Sequence, residues 1–333
     1  MILYLSEPGS VLRKKGGRYV IELNDNKIGE IPAEKLEAVV LFSGTNITSP
    51  CMVSLFEMGI PVTWLSSRGK FFGRAELTNH VNIERQREQF RRGEDEEFCL
   101  ALARKFIKAK IRNSLVLLRR YNRNLDLSTV RNIIDEIQKN INSVDAAPNI
   151  SVLNGLEGYT SRLYFQALSE MVRDDFKFKG RNRQPPTDPF NSLLSFGYTL
   201  LMYEIYTAII NRGLHPYMGF LHRIKRGHPA LASDLMEEWR AALIDALVLS
   251  HIQRGSVSWE DFDVDTNEGG VYLRKTASRT FIKKFEERLR TKSKYISDIE
   301  PVSFRDAIDH QVMLLVKAIE AADPELYKPV LLR

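Results

Sequence analysis

Hydrophobic and polar positions follow two different rhythms along the 333-residue chain. Up to about residue 75 the apolar residues come in short runs. Arg18–Leu23 partly alternates, residues 27–31 form a short run bounded by turns, and Ala38–Phe42 is continuously apolar. These are the patterns of half-buried and fully buried strands. Gly16-Gly17 and Asp25-Asn26 supply hairpin turns between them. One helix is expected here, with Ser49 as N-cap, Pro50 at its first position, Val53 and Phe56 on its apolar face and Gly59 as its stop. Two more strands, residues 61–65 and 70–75, flank a turn at residues 66–69.

Beyond residue 80 strand signals almost vanish and long helical periodicities take over, which places a linker at residues 77–83. Asn154-Gly155 opens a helix that carries Glu157, Arg162, Tyr164 and Phe165 and fades near Met171. Residues 181–187 hold two prolines and two arginines and are expected as an exposed, disordered basic loop. Asp188 then caps an apolar helix with Pro189 at its first position, ending at Gly213. From residue 230 to 252, Leu231, Leu235, Trp239, Ala242 and Ala246 fall at the spacing of a core stripe. Residues 261–270 read as a loop or short hairpin. Residues 271–294 read as an amphipathic helix with Phe281, Phe285 and Leu289 on one side, and Phe304–Ala321 as a final helix. The class predicted is α+β: a β-rich domain, residues 1–78, followed by a larger all-α domain, residues 79–333.

A chain of this length suits two domains, and 44% hydrophobic residues is ordinary for a globular protein. Cys51 and Cys99 are the only cysteines, which excludes a disulfide framework and a thiolate metal site and suits a reducing cytoplasm. Met1-Ile2-Leu3-Tyr4-Leu5 runs into Glu7 and Pro8 without a basic segment, so no signal peptide is expected. Residues 192–210 are long enough to span a bilayer, yet Glu204, three tyrosines and Gly197 favour a helix buried in protein, and no membrane association is expected.

The formal charge of +6 tilts the partner toward something anionic. Between Arg85 and Arg123 there are twelve Lys or Arg against five Asp or Glu. The acids cluster at residues 94–97, leaving Arg104, Lys105, Lys108, Lys110, Arg112, Arg119, Arg120 and Arg123 with few local partners. A solvated helix face is the plain reading, and a nucleic-acid surface stands beside it. Residues 271–294 add nine basic residues against two acidic ones.

Candidate chemistry concentrates in His215-Pro216-Tyr217-Met218-Gly219-Phe220-Leu221-His222 and in Asp234-Leu235-Met236-Glu237-Glu238-Trp239-Arg240. On one helix Asp234, Glu237 and Ala241 share a face opposite Leu235 and Trp239. Catalytic zinc commonly takes two or three histidines or thiolates, and His215, His222 and His228 are spaced six and seven apart, off any common helical face. One imidazole with carboxylates suits Mg²⁺ or Mn²⁺. Such ions work on phosphates, and without a Gly-rich nucleotide loop the phosphate is expected in a nucleic-acid backbone. Tyr159, Tyr198 and Tyr217 are candidates to stack on a splayed base, or core residues.

These residues resemble the CRISPR-associated protein one family over nearly the whole chain. The likeness rests on Asn154-Gly155-Leu156-Glu157-Gly158 with Tyr164-Phe165, and on Asp188-Pro189-Phe190-Asn191 leading to Ser195-Phe196-Gly197-Tyr198. The other anchors are Gly213 to His222 and Asp234-Leu235-Met236-Glu237. The resemblance implies a homodimer formed through the β domain and a metal triad of Glu157, His222 and Glu237. Asp234 matches a nearby acid needed for activity, and Arg240 a basic position. Glu238-Trp239 departs from the family's usual proline and phenylalanine; helical phase favours Glu237 as the ligand, since Glu238 borders the core stripe.

The implied activity is Mg²⁺- or Mn²⁺-dependent joining of a protospacer 3′-hydroxyl to a CRISPR repeat, with cleavage of branched or single-stranded DNA when water attacks instead. The implied setting is a prokaryotic cytoplasm, with a small ferredoxin-like adaptation subunit as partner. Arg112, Arg183, Arg240, Lys275, Arg279, Lys283 and Lys284 are the expected DNA contacts. A structure-specific repair nuclease or a non-catalytic DNA-binding scaffold are the alternatives.

Overall fold

The computed structural model describes residues 1–75, 81–267, 269–294 and 300–332. The chain divides into two units, Met1–Val81 and Asn82–Arg333. The expected boundary at residue 78, and the linker's residues 77–80, lie outside the described residues.

In the first unit the apolar runs form β1 (Ile2–Leu5), β2 (Ser10–Lys15), β3 (Arg18–Leu23), β4 (Asn26–Pro32), β5 (Ala38–Phe42), β6 (Asn46–Ile47), helix α1 (Ser49–Glu57), β7 (Val62–Leu65) and β8 (Phe71–Ala75). They make two four-stranded sheets, ordered β1-β5-β7-β8 and β4-β3-β2-β6. The first sheet pairs β1, β5 and β7 in parallel, Ile2 opposite Ala38 and Val39 opposite Val62. That explains the unbroken apolar run of β5, all five residues of which are buried. Leu3, Leu12, Tyr19, Leu41, Cys51 and Leu55 share one core. Two local expectations shift by a residue. The β3–β4 turn falls on Asn24-Asp25, both left-handed as a two-residue turn of this kind requires. Thr48, not Ser49, is the residue before α1, with Pro50 still inside its first turn.

The second unit is mainly helical: α2 (Ile83–Glu94), α3 (Glu96–Leu125), α4 (Ser128–Asp145), α5 (Ile150–Met171), α6 (Pro189–Asn211), α7 (Ala230–Met236), α8 (Ala246–Gln253), α9 (Lys275–Leu289) and α10 (Phe304–Ala321). It is not purely so, because a hairpin of β9 (Phe262–Asp265) and β10 (Gly270–Leu273) precedes α9. The hairpin takes residues 271–273 from the helix expected there, and Phe281, Phe285 and Leu289 are buried on α9.

Three further expectations are corrected. Asn154-Gly155 lies inside α5, whose cap is Asn149, accepting the Val152 amide at 2.9 Å. The helix expected over 230–252 is broken into α7, a turn, a π-helical stretch Arg240–Asp245 and α8. The loop at 181–187 is ordered: Arg181 donates to Asn191 Oδ1 (2.8 Å) and Ser195 Oγ (3.0 Å), and its guanidinium sits 5.4 Å over the Tyr198 ring. Burial lowers the Arg181 pKa to about 10. The apolar α6 is long enough to cross a membrane, but most of it packs inside the protein, and Glu204 pairs with Arg305 at 2.6 Å.

Candidate metal centre

Glu157 lies two turns into α5, half-buried, where Ser161 Oγ donates to its Oε1 at 2.7 Å. The His222 segment follows α6, which stops at Gly213 with a left-handed φ of 72°. Gln89 of α2, fully buried, pins this irregular segment. It donates to His215 O (2.9 Å) and Met218 O (2.7 Å) and accepts the His215 amide (2.7 Å).

Asp234, buried on α7, gathers the other end. It accepts the amides of Phe220 (2.6 Å), Leu221 (3.0 Å) and His222 (2.9 Å) and bonds His222 Nδ1 at 2.7 Å. The close fit explains Gly219: a Cβ there would stand 2.7 Å from Asp234 Oδ2 and 2.9 Å from the Ala230 carbonyl carbon. Burial pulls the His222 pKa down, but the bond and charge of Asp234, with the charge of Glu237, outweigh it and raise it.

One residue past α7, Glu237 is buried with Lys110 Nζ 2.7 Å from Oε2 and Arg240 Nε 3.2 Å from Oε1. Neither contact is well aligned as a hydrogen bond, so the buried Oε2 lies 2.7 Å from an ammonium that is not aimed squarely at it. Burial would raise this carboxyl; the charges of Arg240 and Lys110 reverse that and hold it at about 2. Lys110, in the middle of α3, also bonds Glu157 Oε1. Two acids far apart in sequence thus share one ammonium.

Glu238 faces the other way. Its Oε1 accepts Tyr327 Oη (2.7 Å), its Oε2 the Val330 amide (2.7 Å), and burial without a cation pushes its pKa up to about 8. Behind Arg240, whose guanidinium lies 4.5 Å over the Tyr198 ring, Asp245 accepts the hydroxyls of Tyr198 (2.6 Å) and Tyr164 (2.7 Å). Burial raises Asp245 to about 6.

The structure therefore gathers Glu157 and Glu237 about Lys110, and His222 about Asp234, with the fields of His222 and Glu237 overlapping. Among the described residues no three His, Cys, Asp or Glu side chains are grouped closely enough to hold a metal ion, and Lys110 stands between the two glutamates. Lys110 and Gln89 are the residues that sequence reasoning missed. Lys110 was visible only as one of many cations, because its acids lie far off in sequence.

The same holds for its neighbours on α3, whose partners are likewise remote rather than local: Lys105 pairs with Glu325 (2.9 Å), Lys108 with Asp145, and Arg104 donates to Ala147 O (2.6 Å). Of the expected DNA contacts, Arg112, Arg183, Lys275, Lys283 and Lys284 are exposed and Arg279 is half-buried. Arg240 turns inward, so its role as a surface backbone contact is corrected to partner of Glu237 and Tyr198. Tyr198 is buried, which removes it as a stacking platform.

The profile of the family CRISPR associated protein Cas1 matches residues 3–287. A CRISPR-associated endonuclease Cas1 of Mycobacterium tuberculosis (strain CDC 1551 / Oshkosh) is 34% identical over 323 residues, 97% of this chain and 95% of that protein. A Cas4 exonuclease/Cas1 endonuclease fusion of Geobacter sulfurreducens is 36% identical over 330 residues, 97% of this chain and 59% of the fusion. Among solved structures, a chain of a Cas6-RT-Cas1--Cas2 complex matches with a TM-score of 0.84 at 26% identity. That match covers 99% of this chain, which spans 36% of the longer one. A casposase bound to integration product shares the fold, with a TM-score of 0.82 at 23% identity over 97% of this chain and 91% of that one. The chain belongs to the CRISPR associated protein Cas1 family.

Proposed function

We propose that this protein is a divalent-metal-dependent DNA endonuclease and integrase of CRISPR adaptation, with Mg²⁺ or Mn²⁺ held by Glu157, His222 and Glu237. One observation carries the reading: two glutamates far apart in sequence share a single cation, within electrostatic reach of a histidine that a buried aspartate holds. The donor set fits such an ion. Glu237 is ionised although buried, and its Oε2 takes no aligned hydrogen bond. Asp234 occupies Nδ1 of His222, the outer-carboxylate arrangement that orients a ligating imidazole through its other nitrogen. One imidazole with carboxylates suits a hard, oxygen-seeking ion.

When bound, the ion would polarise a phosphoryl oxygen and activate an attacking hydroxyl. The chain's own part is to orient and to hold charge. Asp234 and Gln89 fix the His222 segment, and Arg240 and Lys110 keep Glu237 anionic. A DNA 3′-hydroxyl as attacker joins a protospacer end to the CRISPR repeat; water as attacker cleaves branched or single-stranded DNA. Both are in-line displacements at phosphorus without a covalent enzyme intermediate. The relatives' names, endonuclease for the curated proteins and a Cas1–Cas2 assembly for a solved neighbour, support nuclease chemistry and a place in a larger complex.

Exposed Arg112, Arg183, Lys275, Lys283 and Lys284, with half-buried Arg279, would track the DNA backbone, making binding salt-dependent. The β-rich residues 1–78 would form the homodimer, the helical remainder would be the catalytic domain, and a small ferredoxin-like subunit would complete the adaptation complex.

The test is metal-dependent cleavage and strand joining on branched and repeat-containing DNA. Glu157→Ala, His222→Ala and Glu237→Ala are each expected to reduce product to background while DNA binding persists. Full activity in Glu237→Ala, or products that survive a chelator, would overturn the assignment.

A further inference from the structure

Lys110 stands where the proposed ligands meet, and its base cannot withdraw. Ala109 and Ile111 beside it are buried, and Asn113, one turn on, donates to Glu238 O (2.8 Å) and Val330 O (2.9 Å). Only the flexible stem of the lysine can move. The charges near it are nearly balanced: Lys110 and Arg240 positive, Glu157 and Glu237 negative, with buried Asp234 facing His222.

A divalent ion taken by the same two glutamates would leave two positive charges in excess around Glu157, Glu237, Lys110 and Arg240. Buried like charges repel strongly, since little water screens them. A phosphodiester brings the missing negative charge, and an ammonium is a compact donor to phosphate oxygens.

We propose that Lys110 couples metal binding to DNA binding. Without DNA its ammonium competes with the ion for Glu157 and Glu237. With DNA it passes its hydrogen bonds to a phosphoryl oxygen beside the ion and becomes a positioning residue for the reacting phosphate. The coupling is reciprocal by linkage: DNA tightens metal binding by the same factor as metal tightens DNA binding. This inference rests on the metal-site reading above.

The test is direct Mn²⁺ binding to the full chain, read by electron paramagnetic resonance of free Mn²⁺, with and without a branched DNA duplex. The unsubstituted protein is expected to bind Mn²⁺ at least about fivefold more tightly with DNA, the lower end of ordinary coupling. Lys110→Met should bind Mn²⁺ at least about fivefold more tightly than the unsubstituted protein when DNA is absent, and should lose most of the gain on adding DNA. Lys110→Arg, keeping the charge, should retain the coupling. Thermal melts check that each variant is folded, and Lys110→Gln replaces Lys110→Met if the latter is not. A folded, uncharged variant that binds Mn²⁺ no more tightly than the unsubstituted protein overturns this inference alone. Absence of Mn²⁺ binding by the unsubstituted protein, even with DNA, overturns it together with the metal site.

Discussion

The turn after α7 separates two buried regions that treat a carboxyl group in opposite ways. On one side Glu237 meets Lys110 and Arg240 and is held ionised at about 2. On the other Glu238 meets a tyrosine hydroxyl and a backbone amide, without a cation, and rises to about 8. Burial acts on both. What differs is whether the partners carry charge or only dipoles. A region of full charges with an unsatisfied oxygen is prepared to exchange partners; a region of neutral, satisfied bonds is prepared to stay put. The difference fits the function proposed above, with chemistry in the first region and anchoring in the second.

The largest test of that contrast lies on the anchoring side. Glu238→Ala strands the Tyr327 hydroxyl and the Val330 amide, which should cost about 2–4 kcal/mol of stability in denaturant melts. Glu238→Gln, which keeps an acceptor, should cost far less, and metal-dependent cleavage should survive in it. Loss of cleavage in a stable Glu238→Gln would erase the distinction between the two acids.

Asp245 is an intermediate case, bonded by two tyrosines with arginines nearby, and raised by burial to about 6 from an ordinary 3.8. A carboxyl raised in the folded state favours folding fully only below its unfolded value and loses that contribution as pH climbs through its folded value. The protein should therefore lose up to about 3 kcal/mol relative to Asp245→Asn between pH 4 and 6.5, followed by melting temperature against pH. A flat difference would mean that the tyrosines and arginines fully offset burial.

The smallest effect is expected at Asp234, which bonds Nδ1 of His222 and is not among the proposed ligands. Asp234→Asn should weaken Mn²⁺ binding by about 10- to 100-fold and change the His222 tautomer seen by ¹⁵N NMR. An unaltered tautomer would reduce Asp234 to an anchor of the same kind as Glu238.

The periodicity was most informative where partners are close in sequence. Asp188 and Pro189 announce α6, the fully apolar Ala38–Phe42 announces a buried parallel strand, and Phe304–Ala321 runs as its apolar spacing implies. β1 and β2 escape that reading. β1 is four residues of plain apolar run, and β2 carries Arg13, Lys14 and Lys15, which hide its alternation. Lys110 escapes for a different reason. Its meaning depends on Glu157 and Glu237, which reach it through tertiary packing alone. Arg240 likewise reads as a surface cation until the turn before it points it inward.

The π-helical stretch Arg240–Asp245 has a consequence at the level of the gene. Its closing bond runs from the Ala246 amide to the Ala241 carbonyl, five residues back, so the stretch holds more chain per turn than an α-helix. Losing one codon within it would let the stretch close as an ordinary α-helix with its flanks nearly in phase, because the wide turn carries its surplus residue without adding a full residue's rotation. The gene can therefore shed one amino acid here while Glu237 stays with Lys110 and Asp245 with Tyr164 and Tyr198. The same loss in an ordinary α-helical segment would turn everything beyond it by about 100°.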